Sequence, residues 1–252
     1  MSERIVEHLW RLHNGPMMAA VDDLPVEPLS VEAGQALQVA LMRRWLAAGE
    51  AIAGWKLGMT SGASRNAMGP GVRPFGFVRA SRMLPSGVAL PLAELGKGGV
   101  ENELCLIVGA RLGADATPAQ ARAAVAAVAP AFEINQKRLP ADASPGLRVA
   151  DNLSNWGIVV GAEVPPPATL DDLTVTLFGD DAELGRFASR DHIDDHYASL
   201  ATLARRLAQY GLALEPGARV ITGAYARTPF AAGRYRGDFG AAIGAVEVEL
   251  VP

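Results

Sequence analysis

The segment VENELCLIV, from Val100 to Val108, places two carboxylates at the start of an apolar run. The run predicts a buried β-strand, although acidic side chains are poor strand formers and costly to bury. Side chains alternate between the two faces of a strand, so Glu101 and Glu103 point the same way, about 6.6 Å apart along the backbone. A chain that folds around this strand must therefore provide a partner for both carboxylates.

A third carboxylate, Glu133, lies in the segment PAFEI, which also predicts a strand. A strand–helix–strand passage between the two segments returns Glu133 to the first pair. Three carboxylates that leave coordination positions open suit Mg²⁺ or Mn²⁺, hard cations whose other ligands are water or substrate oxygens. The residues alone leave a second interpretation open, in which ENEL is a solvated strand end and Glu133 is an edge residue.

Helix signals occur near both ends of the chain and once in its middle. The second helix begins after Ser30, a good N-cap, and the third opens with a capping box at Thr117. The third helix is rich in alanine and valine and is predicted to run to Pro130. The predicted helices cover 3–13, 31–49, 118–130 and about 194–210.

Short apolar runs separated by glycine and proline predict strands from residue 51 onward. The clearest runs are PAFEI, NWGIVVGAEV, LTVTLFG, ARVITGAY and GAVEVEL. Helices around a strand-rich middle indicate an α+β fold and not a regular βαβ alternation. A proline-rich link near 25–28 predicts a small helical N-terminal region, 1–50, and a main domain, 51–252.

Composition narrows the class of protein. The chain has 252 residues, a formal net charge of −4 and one cysteine, Cys105, which is expected to be a small core residue. It has no basic cluster, no apolar run of the ~20 residues that span a membrane, and no apolar core near its charged N-terminus. We therefore expect a cytoplasmic enzyme that binds neither nucleic acid nor membrane.

Four motifs follow one another along the chain: GWKLGMTS (54–61), VENEL (100–104), PAFEI (130–134) and VADNLS (149–154). Together they resemble the 2-keto-4-pentenoate hydratase / 4-oxalocrotonate decarboxylase family, within the fumarylacetoacetate hydrolase superfamily. The resemblance extends over nearly the whole chain, including the closing RGDFGAAIGAVEVEL. It implies a mixed β-roll packed with helices, and homo-oligomers that are dimers or larger rings.

The resemblance also implies a site. One divalent ion, usually Mg²⁺, is held by Glu101, Glu103 and Glu133, and the catalytic lysine is Lys56. The substrates are small 2-oxo or 2-hydroxydienoic acids from aromatic-ring breakdown. A 2-oxo acid chelates a metal through a carboxylate and a keto oxygen, which polarises the ketone and stabilises an enolate.

The lysine itself has two interpretations. Lys56 lies in an apolar run, which favours desolvation, a lowered pKa and a role in relaying the proton of the enolate. From the residues alone, a strand lysine whose stem packs on apolar neighbours is the competing interpretation.

Weaker matches extend the candidate site to substrate binding. Asp151 and Asn152 fit a loop near the active site, although the same residue types cap turns. Arg138 matches an arginine that orients a carboxylate. Thr222 and Gly223 match a Ser-Gly pair whose hydroxyl and backbone N–H hold the substrate carboxylate.

Two departures from the family pattern bear on the reaction. Gln136 and Lys137 stand where the family commonly has Asp-Ser before Arg138. Pro74 stands where many hydratases have an aspartate near the substrate. The main interpretation is a hydratase that converts a 2-hydroxy-2,4-dienoate into a 4-hydroxy-2-oxo acid. The nearest alternative is a 4-oxalocrotonate-type decarboxylase, because loss of CO₂ needs no attacking water.

The sequence is also compatible with two further kinds of protein. An acylpyruvate hydrolase needs a His–Glu pair, for which Glu7, His8 and His13 of the first helix are candidates. A non-enzymatic alternative is an assembly subunit of a hydratase–decarboxylase complex, since the two enzymes of the family associate.

The segment RDHIDDHYASL raises the possibility of a different metal. His192 and His196 lie one helical turn apart with Asp191, Asp194 and Asp195 nearby, and that spacing can ligate zinc. The preferred interpretation is a helix start whose acids are favoured by the helix dipole, with polar surface histidines.

Overall fold

The computed structural model describes residues 2–14, 28–190 and 192–252, so most of the predicted link near 25–28 lies outside the described residues. Six helices are described: α1 (Ser2–Asn14), α2 (Val31–Ala47), α3 (Leu92–Leu95), α4 (Pro118–Ala124), α5 (Pro145–Ala150) and α6 (His196–Ala208). Among the described helices none combines the length and the apolar character that a membrane span requires.

Twelve strands are described. They are β1 (Ile52–Leu57), β2 (Phe75–Arg79), β3 (Met83–Pro85), β4 (Val88–Pro91), β5 (Gly98–Val108), β6 (Val125–Gln136), β7 (Asn155–Val160), β8 (Thr174–Gly179), β9 (Ala182–Ala188), β10 (Arg219–Pro229), β11 (Gly233–Asp238) and β12 (Ala245–Val251). Short 3₁₀ turns cover Gly62–Ser64, Ala80–Arg82 and Asn152–Ser154.

The strands form two mixed sheets. The larger has the order β2-β1-β10-β5-β6-β7-β3, and the smaller has the order β4-β12-β11-β8-β9. The pairs β1–β10, β3–β7 and β4–β12 are parallel, and the others are antiparallel. Mixed sheets with helices on them confirm the predicted α+β class.

The two sheets share one hydrophobic core. A single cluster of buried side chains contains Leu104 and Phe132 of the larger sheet together with Val246 and Val248 of the smaller sheet. Cys105 is also buried, as expected, and burial raises the pKa of its thiol to about 12. An uncharged, enclosed thiol of this kind behaves as a small apolar residue.

The N-terminal helices pack against this core. The apolar stripe of α1 buries Ile5 and Leu9, which belong to the same cluster as the sheet residues. Trp10 of α1 and Trp45 of α2 pack against each other with ring centroids 4.2 Å apart and planes tilted by 43°. The division into 1–50 and 51–252 stays a prediction.

The helix predicted to run from Pro118 to Pro130 is wrong over its second half. The capping box at Thr117 is present, but α4 ends at Ala124 and the chain continues as β6. Residues Val125 to Gln136 pair antiparallel with the whole length of β5. Alanine favours a helix in isolation, yet pairing in the middle of the sheet outweighs that preference, and the β-branched valines suit a strand.

Candidate active site

A cavity of about 1140 Å³ opens at the end of the larger sheet. Its walls come from β1 and the loop that follows it, and from β5, β6, β9 and β10. The polar and backbone groups most relevant to chemistry belong to Lys56, Glu101, Glu103, Glu133, Gly223 and Tyr225.

The three glutamates meet because β5 and β6 are neighbouring antiparallel strands. Glu101 lies directly opposite Glu133 in the ladder, and Glu103 is two residues further along the same face of β5. One carboxylate oxygen from each of the three lies within 4.8 Å of those of the other two. The structure therefore brings the predicted triad together, through an antiparallel pairing.

Crowding of the carboxylates changes their protonation. Burial and the charge of Glu133 raise the pKa of Glu101, and they raise the pKa of Glu103 well above its usual range. The charge of Lys56 partly offsets the rise in the pKa of both residues, and Arg227, with its Nε 3.3 Å from Glu101 Oε1, does so for Glu101. Three carboxylates at this separation, two of them buried and that of Glu101 partly buried, repel one another unless a cation lies between them. The donor set, all oxygen and all anionic, fits a hard divalent ion.

Lys56 of β1 forms a buried ion pair with the third glutamate. Its Nζ donates to Glu133 Oε1 at 2.5 Å and to Oε2 at 2.7 Å, and it lies 3.4 Å from the carbonyl oxygen of Leu153. The amine thus lies in the cavity beside the triad. The competing interpretation, in which Lys56 only packs its stem on apolar neighbours, therefore does not fit the structure.

The expected lowering of the Lys56 pKa is wrong. Burial does lower the pKa, but the charges of Glu133, Glu101 and Glu103 outweigh it, so the pKa is raised above its ordinary value. The apolar residues next to Lys56 in the sequence predicted only the effect of burial, which lowers the pKa. The carboxylates come from two other strands and enter only through the fold.

The path of the Lys56 stem depends on a glycine in β2. A Cβ added at Gly76 would lie 2.9 Å from Lys56 Cγ and 2.9 Å from Asn152 Oδ1. Contacts below 3.0 Å between such atoms are not tolerated without movement. Gly76 therefore leaves the space through which the stem reaches Glu133.

Gly223 lines the cavity and supports one ligand of the triad. Strand β10 departs from regular pairing with β5 on both sides of Ala224, which turns the backbone N–H of Gly223 towards Glu103 Oε2 at 2.6 Å. The φ of Gly223 is +150°, and a side chain there would lie 2.8 Å from Thr60 Oγ1. Both the backbone conformation and the lack of space for a side chain therefore require glycine at this position.

Thr222 faces away from the cavity. Its side chain is fully buried, and its Oγ1 lies 2.7 Å from Nδ1 of His196. Nε2 of the same imidazole lies 3.0 Å from the hydroxyl of Tyr225, which Ser189 also contacts. The structure thus assigns the Thr222 hydroxyl to a buried network, and only its neighbour Gly223 lines the cavity.

Arg138 and Asp151 form a second buried network beneath the site and do not line the cavity. Nε of Arg138 donates to Asp151 Oδ1 at 2.9 Å, and His13 Nε2 lies 3.0 Å from the same oxygen. Burial raises the pKa of Asp151, but the charge of Arg138 and the hydrogen bond with His13 outweigh it and lower that pKa.

Asn152 supports the backbone of a neighbouring strand. Its Oδ1 accepts from Phe77 N at 2.8 Å and its Nδ2 donates to Phe77 O at 2.9 Å. Its own backbone and those of Leu153 and Ser154 are left-handed, with φ of 57°, 51° and 63°. Each such residue costs roughly 1–2 kcal/mol, so the surroundings must hold this turn in place.

Sequence reasoning missed two contributors to the site, both next to the VADN motif. Asn155 donates from Nδ2 to Glu133 Oε1 at 2.8 Å, and Leu153 offers its carbonyl oxygen to Lys56. The polar run DNLSN, with no helix or strand period, is the signal that a tight turn lies here. The direction of its groups depends on the left-handed backbone, which the residue types do not reveal.

The interpretation of His196 as a surface residue is wrong. The start of α6 packs onto β10, which buries the imidazole, and burial lowers its pKa to about 4. His192 lines the cavity and stacks on Phe187 with ring centroids 4.4 Å apart. The two histidines therefore lie in different environments, His196 in the protein interior and His192 at the cavity wall.

The acids of the same segment have partners of their own. Asp194 pairs with Arg65 and Arg73, and Asp195 caps α6 by accepting from Ala198 N. Asp191 lies outside the described residues. Within the described ranges, the glutamate triad is the single cluster of three or more possible metal ligands.

The His–Glu candidates of α1 do not line the cavity. Glu7 pairs with Arg11 and Arg44, and His8 is buried with its Nε2 unpaired among the described residues. His13 is committed to Asp151. Nothing in this geometry brings a water-activating pair to the triad.

Comparison with known proteins places this geometry in context. A 4-oxalocrotonate decarboxylase from a Pseudomonas species is 32% identical over 200 residues, 79% of this chain and 78% of that protein. A 2-keto-4-pentenoate hydratase from Burkholderia vietnamiensis is 32% identical over 183 residues, 70% of this chain and 69% of that protein. No protein-family model matches the sequence.

The fold has a solved counterpart. The 4-oxalocrotonate decarboxylase of Pseudomonas putida G7, complexed with magnesium and adipate, has a TM-score of 0.86 at 22% identity, covering 99% of this chain and 97% of that one. The two mixed sheets define a fumarylacetoacetate-hydrolase-like fold. Within that class, the chain belongs to the 2-keto-4-pentenoate hydratase / 4-oxalocrotonate decarboxylase family.

Proposed function

We propose that the protein is a divalent-metal-dependent hydratase of aromatic-compound catabolism, which adds water to a 2-hydroxy-2,4-dienoate to give a 4-hydroxy-2-oxo acid. The observation that carries the proposal is the convergence of Glu101, Glu103 and Glu133 in the cavity beside the amine of Lys56. Relatives named 2-hydroxypent-2,4-dienoate hydratase and 2-hydroxyhexa-2,4-dienoate hydratase support the substrate class.

The three glutamates would hold the ion, Mg²⁺ or Mn²⁺. Such an ion, when bound, supplies Lewis-acid polarisation of the oxygens at C1 and C2 of the substrate. Gly223 N–H keeps one oxygen of Glu103 oriented, and Asn155 does the same for Glu133. These contacts hold the carboxylates before any ligand arrives, which lowers the cost of assembling the site.

Lys56 is placed for the proton steps, with its amine hydrogen-bonded to Glu133 beside the triad. As an ammonium it can deliver a proton to C5 of the dienol as the 2-hydroxyl gives up its own. The dienol then becomes a 2-oxo-3-enoate. Addition of water across that alkene places the hydroxyl on C4 and a hydrogen on C3, so the overall change is the gain of one water.

A decarboxylase is the second candidate, and a specific observation favours it. The acidic side chains that line the cavity in the described structure are the three glutamates themselves, and Pro74 stands where many hydratases have an acid. The cavity is also lined by cationic groups from Lys97, Lys137, Arg148 and Arg227. These suit a substrate that carries a second carboxylate, such as a 2-oxo-enedioate.

The test is a substrate panel followed by the loss of conjugated ultraviolet absorbance. The panel contains 2-hydroxypenta-2,4-dienoate, 2-hydroxyhexa-2,4-dienoate and 2-oxohex-3-enedioate, each with Mg²⁺ and with excess chelator. Incorporation of ¹⁸O from labelled water at C4 identifies a hydratase, and release of CO₂ identifies a decarboxylase. Metal-independent turnover, or turnover unchanged in Glu103→Gln, would overturn the proposal.

The proposal extends to assembly. We propose a homo-oligomer, a dimer or a larger ring, which associates with a sister decarboxylase or hydratase of the same pathway. A protein that binds Mg²⁺ but turns over none of the panel alone, and that raises the activity of such a partner, would instead be an assembly subunit. Light scattering of the protein alone and of the mixture measures both states.

A further inference from the structure

We propose that His13 of the N-terminal helix is a positioning residue for the Lys56–Glu133 pair, acting through Asp151, Arg138 and the left-handed turn Asn152–Ser154. The inference rests on the proposed function for its kinetic consequences, while its structural part stands on contacts alone. His13 lies outside the cavity, so its effect on the reaction is indirect.

His13 connects α1 to the interior of the main domain through Asp151. Asp151 is fully buried, and as a carboxylate beside Arg138 it can only accept hydrogen bonds. Its Oδ2 has no hydrogen-bond partner among the described residues, so Oδ1 makes all of its contacts. His13 Nε2, 3.0 Å from Asp151 Oδ1, therefore carries the proton and donates it. The same oxygen accepts from Arg138 Nε at 2.9 Å, so one carboxylate oxygen joins the helix to the arginine.

Arg138 in turn holds both ends of the left-handed turn. Nη2 of Arg138 donates to the carbonyl oxygen of Asp151 at 3.1 Å and to that of Asn155 at 3.2 Å. These two residues flank the three left-handed residues. Nη1 is held by Gln136 Oε1 at 2.9 Å, so Gln136 keeps the guanidinium in place where the family motif has an acid.

The turn itself contacts both Lys56 and Glu133. Leu153, at the centre of the turn, presents its carbonyl oxygen to Lys56 Nζ at 3.4 Å. Asn155, at its end, donates to Glu133 Oε1 at 2.8 Å. Because left-handed backbone is maintained only where the surroundings over-determine it, loss of the His13 contact is expected to loosen this turn first.

The decisive comparison is His13→Gln against His13→Leu. Glutamine places an amide N–H near the position of Nε2 and keeps the donor, whereas leucine fills similar space without one. His8→Leu is the matched control, because His8 is a buried histidine of the same helix whose Nε2 makes no hydrogen bond among the described residues. Measurements are kcat and KM on the substrate panel, and amide hydrogen exchange of residues 150–156.

We expect His13→Leu to lower kcat about tenfold with KM changed less than threefold, and to accelerate exchange at residues 150–156. Both His13→Gln and His8→Leu should stay within about threefold of wild type by each measure. Equal behaviour of the Leu and Gln variants, or an equal loss in His8→Leu, would overturn the inference. If the wild type turns over none of the panel, the proposed function fails, and the exchange comparison alone still decides the role of His13.

Discussion

The amine of Lys56 lies 2.5 Å from one oxygen of Glu133 and 2.7 Å from the other, so a single glutamate serves both the ammonium and the acidic triad. The two residues come from β1 and β6, which are separated in the sheet by β10 and β5. Their side chains therefore converge across the cavity and not along the backbone ladder. This relationship makes the charge of the lysine and the charge of the triad mutually dependent.

Replacement of Lys56 by Met removes the proton and the charge and keeps most of the stem. We expect turnover to fall by about 10²–10⁴-fold, the usual contribution of a positioned acid–base group. Lys56→Arg keeps the charge but cannot release a proton, so it should also be slow. Steady-state kinetics measures the fall; near-normal rates in both variants would contradict a catalytic role, and a fast Arg variant beside a slow Met variant would show that charge suffices.

Replacement of Glu103 by Gln should abolish high-affinity binding of Mg²⁺ or Mn²⁺, because an anionic ligand of a hard cation becomes a neutral amide. The amide oxygen can still accept from Gly223 N–H, so the fold should be retained. Titration calorimetry measures one site per chain in the wild type. Glu249→Gln, an exposed strand residue, is the control. Unchanged affinity in the Glu103 variant would place the metal elsewhere.

Replacement of Gly76 by Ala should move the Lys56 stem. The added methyl meets Lys56 Cγ and Asn152 Oδ1, each 2.9 Å away, so the site is overpacked. We expect a loss of about 1–3 kcal/mol in the free energy of unfolding, together with a fall in kcat. Gly113→Ala is the matched control, since its nearest atom lies 3.8 Å away. Urea unfolding and kinetics that are equal in the two variants would contradict this account of Gly76.

Acid should destabilise the protein through two buried histidines. Burial, with the charge of Arg138, lowers the pKa of His13 to about 4, and burial lowers that of His196 to about 4 despite the charge of Asp195. Asp151 also raises the pKa of His13 through its hydrogen bond, and Arg79 lowers it. In the unfolded chain a histidine has a pKa of about 6.5.

Between those two pKa values the unfolded state binds more protons, so the free energy of unfolding falls as the pH drops from about 6.5 to 4. Each histidine contributes up to about 3 kcal/mol over that window. Urea unfolding at several pH values, for wild type and His196→Gln, isolates one histidine because the contributions of the glutamates cancel in the difference. A difference that does not change with pH would contradict a neutral, buried His196.

His192 tests the remaining metal alternative. Its imidazole stacks on Phe187 at the cavity wall and belongs to no cluster of three or more possible metal ligands among the described residues. We expect His192→Ala to leave the metal content, measured by atomic absorption, unchanged. Loss of one equivalent of zinc in that variant would restore the zinc interpretation.

Local chemistry was sufficient to predict several features of the chain. Period-two alternation put Glu101 and Glu103 on one face, as found, because that period belongs to any strand. The N-cap of α2 at Ser30 and the capping box at Thr117 were correct for the same reason, since each depends on residues within one helical turn. The order of the motifs correctly predicted the family, and the helices around a strand-rich middle correctly predicted the α+β class.

Only the tertiary structure decided how these local elements pair and pack, and what environment each side chain has. Residues 125–130 became strand because β5 pairs with them along one side and Val128 bridges Val164 on the other. His196 was buried because α6 packs on β10. The pKa of Lys56 rose because three carboxylates from distant strands surround it. Arg138 and Asp151 lie outside the cavity lining, where the contact with His13 joins them in one buried network. Each outcome depends on groups far apart in sequence, whose proximity exists only in the folded chain.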